Sequence, residues 1–401
     1  MDKLPKGWRN KELADVAKII TGNTPPKNDS SYYDNGTIPF VKPPDLGKGI
    51  VFETTEMITE KGLNKSRLIP KNSIMVCCIG SLGKIGIAGR DLITNQQINS
   101  IVFNPAFIQF RFGYYFSLTL EKYMNETANK AVVSIVNKST FSKYKILVPP
   151  FSEQIRIVNK LDSLFERIDK SIALLQENIK HTEALMASVL EDVFKKLVSI
   201  SKVYKIKEFA DIKGGKRLPK GKSLLDTKTA FPYIRVTDFN DNGSVDVESI
   251  KYMEKDVQEQ IKRYIITSKD VYISIAGTIG KTGIIPNELN NANLTENAAR
   301  LVFKPNFEIN NRFIYYFTLS DNFKDQIGFA TKTVAQPKLA LTRLAEVELP
   351  IPILDIQNKE VLIFDELSKK FQEIKIQQQS KLNYLKAMKA SLLDKAFKGE
   401  L

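Results

Sequence analysis

The sequence predicts an α+β fold: a tandem duplication of a mixed α/β head, each head followed by a long helix, the two helices pairing as an antiparallel coiled coil. Three observations predict it. Short motifs recur in order in the two halves of the chain, β-type runs are confined to the first part of each repeat, and a four-three apolar spacing is sustained along the last part.

The repeat comes first. Ile38-Pro39-Phe40-Val41-Lys42 echoes Phe231-Pro232-Tyr233-Ile234-Arg235, and Ile79-Gly80-Ser81-Leu82-Gly83-Lys84 echoes Ala276-Gly277-Thr278-Ile279-Gly280-Lys281. Ile101-Val102-Phe103-Asn104-Pro105 matches Leu301-Val302-Phe303-Lys304-Pro305, and Tyr114-Tyr115-Phe116 matches Tyr315-Tyr316-Phe317. Ala187-Ser188-Val189-Leu190 with Phe194-Lys195 matches Ala390-Ser391-Leu392-Leu393 with Phe397-Lys398. The offset drifts only from 193 to 203 across the anchors, so the unit is about 200 residues long. Within each head, apolar runs such as 73–79 and 270–275 are broken by Gly, Asn and Pro, as short strands are.

Each head ends at a Pro-rich boundary, Val148-Pro149-Pro150 or Pro350-Ile351-Pro352, beyond which the chain turns helical. The expected divisions are a head over 1–150, a helix over 151–200, a head over 201–350 and a helix over 351–401. The first helix carries Leu161, Phe165, Ile168, Ile172, Leu175, Ile179, Thr182, Met186, Val189 and Val193 at alternating steps of four and three. The second is expected to use Phe364, Leu367, Phe371, Ile374, Gln378, Lys381, Leu385, Met388 and Leu392. Such a stripe is a coiled-coil seam, and each helix can supply the other's partner. From 161 to 193 the first seam spans roughly 50 Å at 1.5 Å per residue, the length of about fifteen base pairs of DNA.

Composition narrows the partner. The 401 residues hold 59 Lys and Arg against 45 Asp and Glu, a net charge of +14. This excess fits nucleic acid, an acidic membrane or an acidic protein, and nucleic acid is favoured because each phosphate neutralised releases a counterion. The start, Met1-Asp2-Lys3-Leu4-Pro5-Lys6-Gly7, has no apolar signal segment, and apolar runs such as 74–79 are too short to span a bilayer. Adjacent Cys77 and Cys78 fit a buried strand in a reducing compartment, so a cytoplasmic location is expected.

Taken together, these features resemble the specificity subunit of type I restriction-modification systems. The residues that carry the likeness are the Pro149-Pro150…Glu153-Gln154 boundary leading into a long helix, and the opening Leu4-Pro5-Lys6-Gly7-Trp8 with Leu13-Ala14-Asp15-Val16. The ending Ala396-Phe397-Lys398-Gly399-Glu400-Leu401 is similar too. The resemblance implies that each head is a target-recognition domain for one half of a bipartite, asymmetric DNA sequence. It also implies that the paired helices fix the spacer and dock two adenine-methylating subunits, to which motor-nuclease subunits add. S-adenosylmethionine, ATP and Mg2+ would then belong to those partners. The second boundary departs from the pattern: Pro352-Ile353-Leu354-Asp355-Ile356-Gln357 lacks the Glu-Gln pair and is one residue longer, which leaves the start of the second helix open.

Base edges are read best by Arg, Lys, Asn and Gln. Thr94-Asn95-Gln96-Gln97 is a polar cluster whose counterpart is Thr295-Glu296-Asn297; a solvated turn explains them equally well. Lys84 and Lys281 in the Gly-rich turns, and Lys42 and Arg235 after the Pro-aromatic strands, are candidate phosphate contacts or ordinary exposed cations. Loops with Asn129, Lys130, Asn137 and Lys138, and with Lys332, Thr333, Gln336 and Lys338, are further candidates.

Catalytic readings fare worse. Gly277-Thr278-Ile279-Gly280-Lys281-Thr282 suggests a P-loop, but Ile275 stands where its first Gly is required. One histidine, His181, lies beside the seam, so neither a Ser-His-Asp triad nor a His/Cys zinc site can be built. Val148-Pro149-Pro150-Phe151 has Val where a methyltransferase motif needs Asn or Asp. The expectation is a reader without chemistry of its own. Two alternatives remain: a tandem DNA-binding architectural or regulatory protein with no methylase partner, and a structural coiled-coil scaffold.

Overall fold

The computed structural model describes residues 5–128, 134–328 and 338–401. The chain forms two compact units, one of Met1–Leu175 with Ser380–Leu401 and one of Gln176–Gln379, so each unit contains a head and part of both long helices.

In the first unit, strand Arg9–Glu12 pairs antiparallel with Lys145–Val148, which brings the head's entry and exit side by side. A five-stranded sheet follows the order Ala17–Thr21, Ile98–Phe103, Ile74–Cys77, Ile85–Ala88, Ile50–Val51. The apolar run expected as a strand supplies its fully buried Ile74–Cys77. A smaller four-stranded sheet has Ile38–Val41 parallel to Leu92–Thr94 at its centre, with Phe40 opposite Ile93. Helix Phe110–Thr127 repeats Phe112, Phe116, Leu120 and Met124 at four-residue steps, and this apolar row packs with Ile19, Ile74 and Ile101 of the larger sheet.

The second unit repeats the plan. Lys202–Lys205 pairs with Glu348–Ile351. A four-stranded sheet runs Ala210–Gly214, Ala298–Phe303, Val271–Ser274, Thr282–Gly283. In the smaller sheet, Pro232–Ile234 lies parallel to Ala292–Leu294, with Tyr233 opposite Asn293. Helix Asn311–Leu319 buries Phe313, Tyr316 and Phe317.

The long helices span Phe151–Ile200 and Leu354–Lys398. In the first unit Arg156 donates to the Leu401 carbonyl, and Lys389 pairs with Asp169 at 2.7 Å. In the second, Lys375 pairs with Glu183 at 2.6 Å, Thr182 meets Gln378, and Phe194 stacks on Phe364. Within each unit one set of numbers rises as the other falls: the pairing is antiparallel, as the double seam predicts.

The seam of the first helix is buried or half-buried at every expected position. The second differs by one residue at alternate positions. Ile374 and Met388 are about 40% exposed, at 42% and 39%, and Lys381 faces solvent, while Lys375, Leu382 and Lys389 occupy the seam instead. At Lys389 the lysine side chain itself is the reason the expectation slipped, whereas Leu382 was displaced only by the assumed spacing. The Lys389 stem lies over the Phe165 ring, its ammonium 4.7 Å from the centroid, while its charge reaches Asp169. A hydrocarbon stem capped by a charge can cover apolar surface as a seam residue does.

Each head is tied to its helix by a buried glutamine. Gln154 Nε2 donates to the carbonyls of Phe107 (2.8 Å) and Pro149 (3.1 Å), and its Oε1 accepts from the Gln109 N–H at 2.8 Å. Gln357 repeats the set with Glu308 (2.9 Å), Pro352 (2.8 Å) and the Asn310 N–H (2.9 Å). Pro352 is therefore the equivalent of Pro149, and the start of the second helix is fixed at Leu354. The glutamine is the shared part of the boundary, and the preceding Glu153 is not. Two turns on, Arg111 and Tyr115 grip Asp162, as Arg312 and Tyr316 grip Asp365.

Candidate nucleic-acid interface

The polar turns flagged in the sequence are the links from the smaller sheet of each head back to the larger one. Asn95 N–H donates to the Val41 carbonyl (3.1 Å) and Thr295 N–H to that of Ile234 (3.0 Å). Cys78 N–H donates to Gln97, and Ile275 N–H to Asn297. Gly22 N–H donates to Ile98, and Gly215 N–H to Ala298. These matched bonds set Gln96 opposite Glu296, and Gln97 opposite Asn297, in the repeat.

The same turns receive a loop that the motif reading missed. Residues 22–28 of the first head and 215–222 of the second cross directly over them. A Cβ on Gly22 would lie 2.2 Å from the Thr94 carbonyl oxygen, and one on Gly215 would lie 2.1 Å from that of Thr295. Backbone cannot yield at such distances, so only glycine allows the approach. The signal was present: Gly22, Pro26 and Lys27 recur as Gly215, Pro219 and Lys220 at the offset that relates Pro39 to Pro232. A third segment closes each assembly. Asn23 Nδ2 donates to the Lys65 carbonyl (2.7 Å) and Arg67 donates to that of Thr21 (2.8 Å). In the second head the Lys216 ammonium lies 5.8 Å from the Tyr264 ring centroid.

Side chains at the crossing differ between the heads. Thr24 Oγ1 donates to Gln96 Oε1 at 2.7 Å, whereas Arg217 Nε donates to Glu296 Oε1 at 2.6 Å. Partial burial alone would push the Glu296 carboxyl up; hydrogen bonds from Arg217, the backbone and Thr295 outweigh it and hold the group below its ordinary value. The Glu296 hydrogen bond likewise raises the Arg217 guanidinium. Lys27, Lys65, Lys220, Lys262 and Arg263 are exposed around these crossings and make no ion pair with another described residue.

The other sequence candidates are held within their own heads. Lys42 pairs with Glu56, and its N–H donates to Asp45 (2.8 Å). Arg235 pairs with buried Asp238 and donates to the Ser249 carbonyl at 2.9 Å. Lys84 donates to the Pro43 carbonyl (2.9 Å), and Lys281 to that of Phe239 (3.3 Å) and to Asp241 (2.9 Å). Lys84 and Lys281 pin the Gly-rich turns to the segment after the Pro-aromatic strand, while Lys42 and Arg235 brace that segment itself. Asn95 is nearly buried and bonds Gln97; Gln96 and Asn297 are exposed. Asn137 caps the helix Lys138–Ser142 by accepting from the Thr140 N–H (2.9 Å), and exposed Lys338 bridges Ala276 through its backbone. Asn129, Lys130, Lys332, Thr333 and Gln336 lie outside the described residues. His181 is exposed on the first long helix, 3.9 Å from Glu177.

Among the described residues no helix is long and apolar enough to cross a membrane. The family model for the type I restriction modification DNA specificity domain matches twice, over residues 5–180 and 199–384. The specificity subunit of the type I restriction enzyme HindI from Haemophilus influenzae is 34% identical over 189 residues, which are 45% of this chain and 39% of that protein. The MjaVIII specificity subunit of Methanocaldococcus jannaschii is 23% identical over 88% of this chain and 84% of its own length. A solved chain from a type I R-M system complex superposes with a TM-score of 0.75 at 20% identity, over the full length of both. The HsdS subunit of Thermoanaerobacter tengcongensis superposes at 0.50 and 19% identity, over 100% of this chain and 98% of that one. With both heads matched and the fold shared end to end, the chain belongs to the type I restriction-modification DNA specificity family and carries that family's domain twice.

Proposed function

We propose that the chain is the non-catalytic sequence reader of a type I complex, each head contacting one half of a bipartite, asymmetric DNA site. The observation that carries this reading is the duplicated crossing of residues 22–28 and 215–222 over the 94–97 and 295–297 turns. Its backbone is the same in both heads, and its exposed side chains differ. One scaffold with two chemistries suits two related readers of different half-sites, because base edges are told apart by donor and acceptor pattern. Lys27, Lys65, Lys220, Lys262 and Arg263 would contact phosphate and set register. Gln96, Gln97, Glu296 and Asn297, with Lys130, Lys332, Thr333, Gln336 and Lys338, would complete the DNA-facing set. Lys42, Lys84, Arg235 and Lys281 would shape that face from beneath through their internal partners.

The paired helices would set the gap between half-sites and dock two DNA adenine methyltransferase subunits, with restriction and motor subunits joining them. S-adenosylmethionine, ATP and Mg2+ would act on those partners. Co-expression with the cognate modification subunit, followed by mapping of every methylated adenine in host DNA, tests this. A split motif with a fixed gap is expected. Methylation at a continuous motif, or a stable complex that methylates nothing, would count against it.

A further inference from the structure

Structural contacts of the duplicated unit, buried or exposed, keep their chemistry from one copy to the other. Gln154 and Gln357 make the same three hydrogen bonds, Asp162 and Asp365 hold the same Arg and Tyr, and Asp45 and Asp238 accept from the backbone at equivalent positions. The surface pair at the loop crossing does not. A hydroxyl–amide contact, Thr24–Gln96, becomes a guanidinium–carboxylate contact, Arg217–Glu296, on the same backbone.

Both pairs leave hydrogen-bonding capacity toward solvent. The Arg217 side chain is 79% exposed and uses Nε on Glu296, which leaves its Nη groups with no hydrogen-bond partner among the described residues. Its carboxylate partner removes the torsional freedom that a long cation would otherwise lose on binding. Gln96 accepts from Thr24 with one lone pair of Oε1, and its NH2 has no partner among the described residues. A planar guanidinium fork matches O6 and N7 of guanine, and a carboxamide matches N6 and N7 of adenine.

We propose that Thr24–Gln96 and Arg217–Glu296 are the equivalent base-reading pairs of the two heads, with Gln96 placed for adenine and Arg217 for guanine. The inference rests on the reading that the heads contact DNA. Mapping the wild-type motif separates the two: without a split motif that reading fails, and only with one is the pair at stake. The test then transplants the first head's pair into the second, as Arg217→Thr with Glu296→Gln, in the full chain with its modification subunit. One half-site should lose its guanine preference at one position by about ten- to hundredfold, while the other half-site and the gap stay unchanged. The reverse exchange, Thr24→Arg with Gln96→Glu, should alter the other half-site alone. Methylation retained at an unaltered motif in both exchanges overturns the proposal.

A second readout needs no variant. Replacing each guanine of the wild-type motif in turn by 7-deazaguanine removes N7, and one position should weaken binding of the wild-type complex about tenfold or more. Undiminished binding at every guanine overturns the Arg217 assignment even where the exchanged chains prove inactive.

Discussion

Cys77 and Cys78 are neighbours, yet strand geometry sends their side chains to different cores. The Cys78 sulfur accepts from Asn99 Nδ2 at 3.3 Å, and burial pushes its thiol up to about 12. Burial raises Cys77 as well. The sign follows: the native thiols keep protons that the unfolded chain releases near pH 9, so they are unreactive below that pH and their contribution to stability is lost as pH rises past it. Titration with a thiol reagent at pH 8 should find neither group reacting quickly in the native chain and both after denaturation; rapid native labelling would contradict the burial. At this scale the sequence was informative about Gln96 and Glu296 as polar turn residues but silent about Thr24 and Arg217. The contacts that join them span 72 and 79 residues, and no local pattern encodes a partner that far away.

The two buried glutamines show what an element boundary is made of. Removing Gln154 would strand the Phe107 and Pro149 carbonyls and the Gln109 N–H, at about 1–3 kcal/mol for each group left buried and unpaired. Gln154→Ala should therefore speed amide exchange at Gln109 and lower the first unit's unfolding temperature, with Asn310 in the second unit unchanged. Gln154→Glu should do no better, since a carboxylate cannot donate to two carbonyls; unchanged exchange in both variants would contradict the tie. Strands and helices were legible because their periods of two and 3.6 are written in apolar residues. The second seam was legible only in part: Lys389 lies along it over Phe165, and residue type alone gave no sign of that.

The architecture of the molecule was the most legible of all, because duplication lets the chain be compared with itself. Two heads of one plan, and two helices that pair antiparallel in both units, follow from five anchors and two stripes, while the strand pairings within the heads do not. What the anchors could not reveal was which loops cross, since that depends on a glycine fitting under a carbonyl. The central claim is that the heads read and the helices measure. Matched four-residue insertions near 176–180 of the first long helix and 376–380 of the second add just over one turn, so the seam stays nearly in phase. They lengthen the pair by ~6 Å, about one to two base pairs. Methylation mapping of that chain with its modification subunit should return both original half-sites with a gap wider by one to two base pairs. Altered half-sites at an unchanged gap would contradict the account.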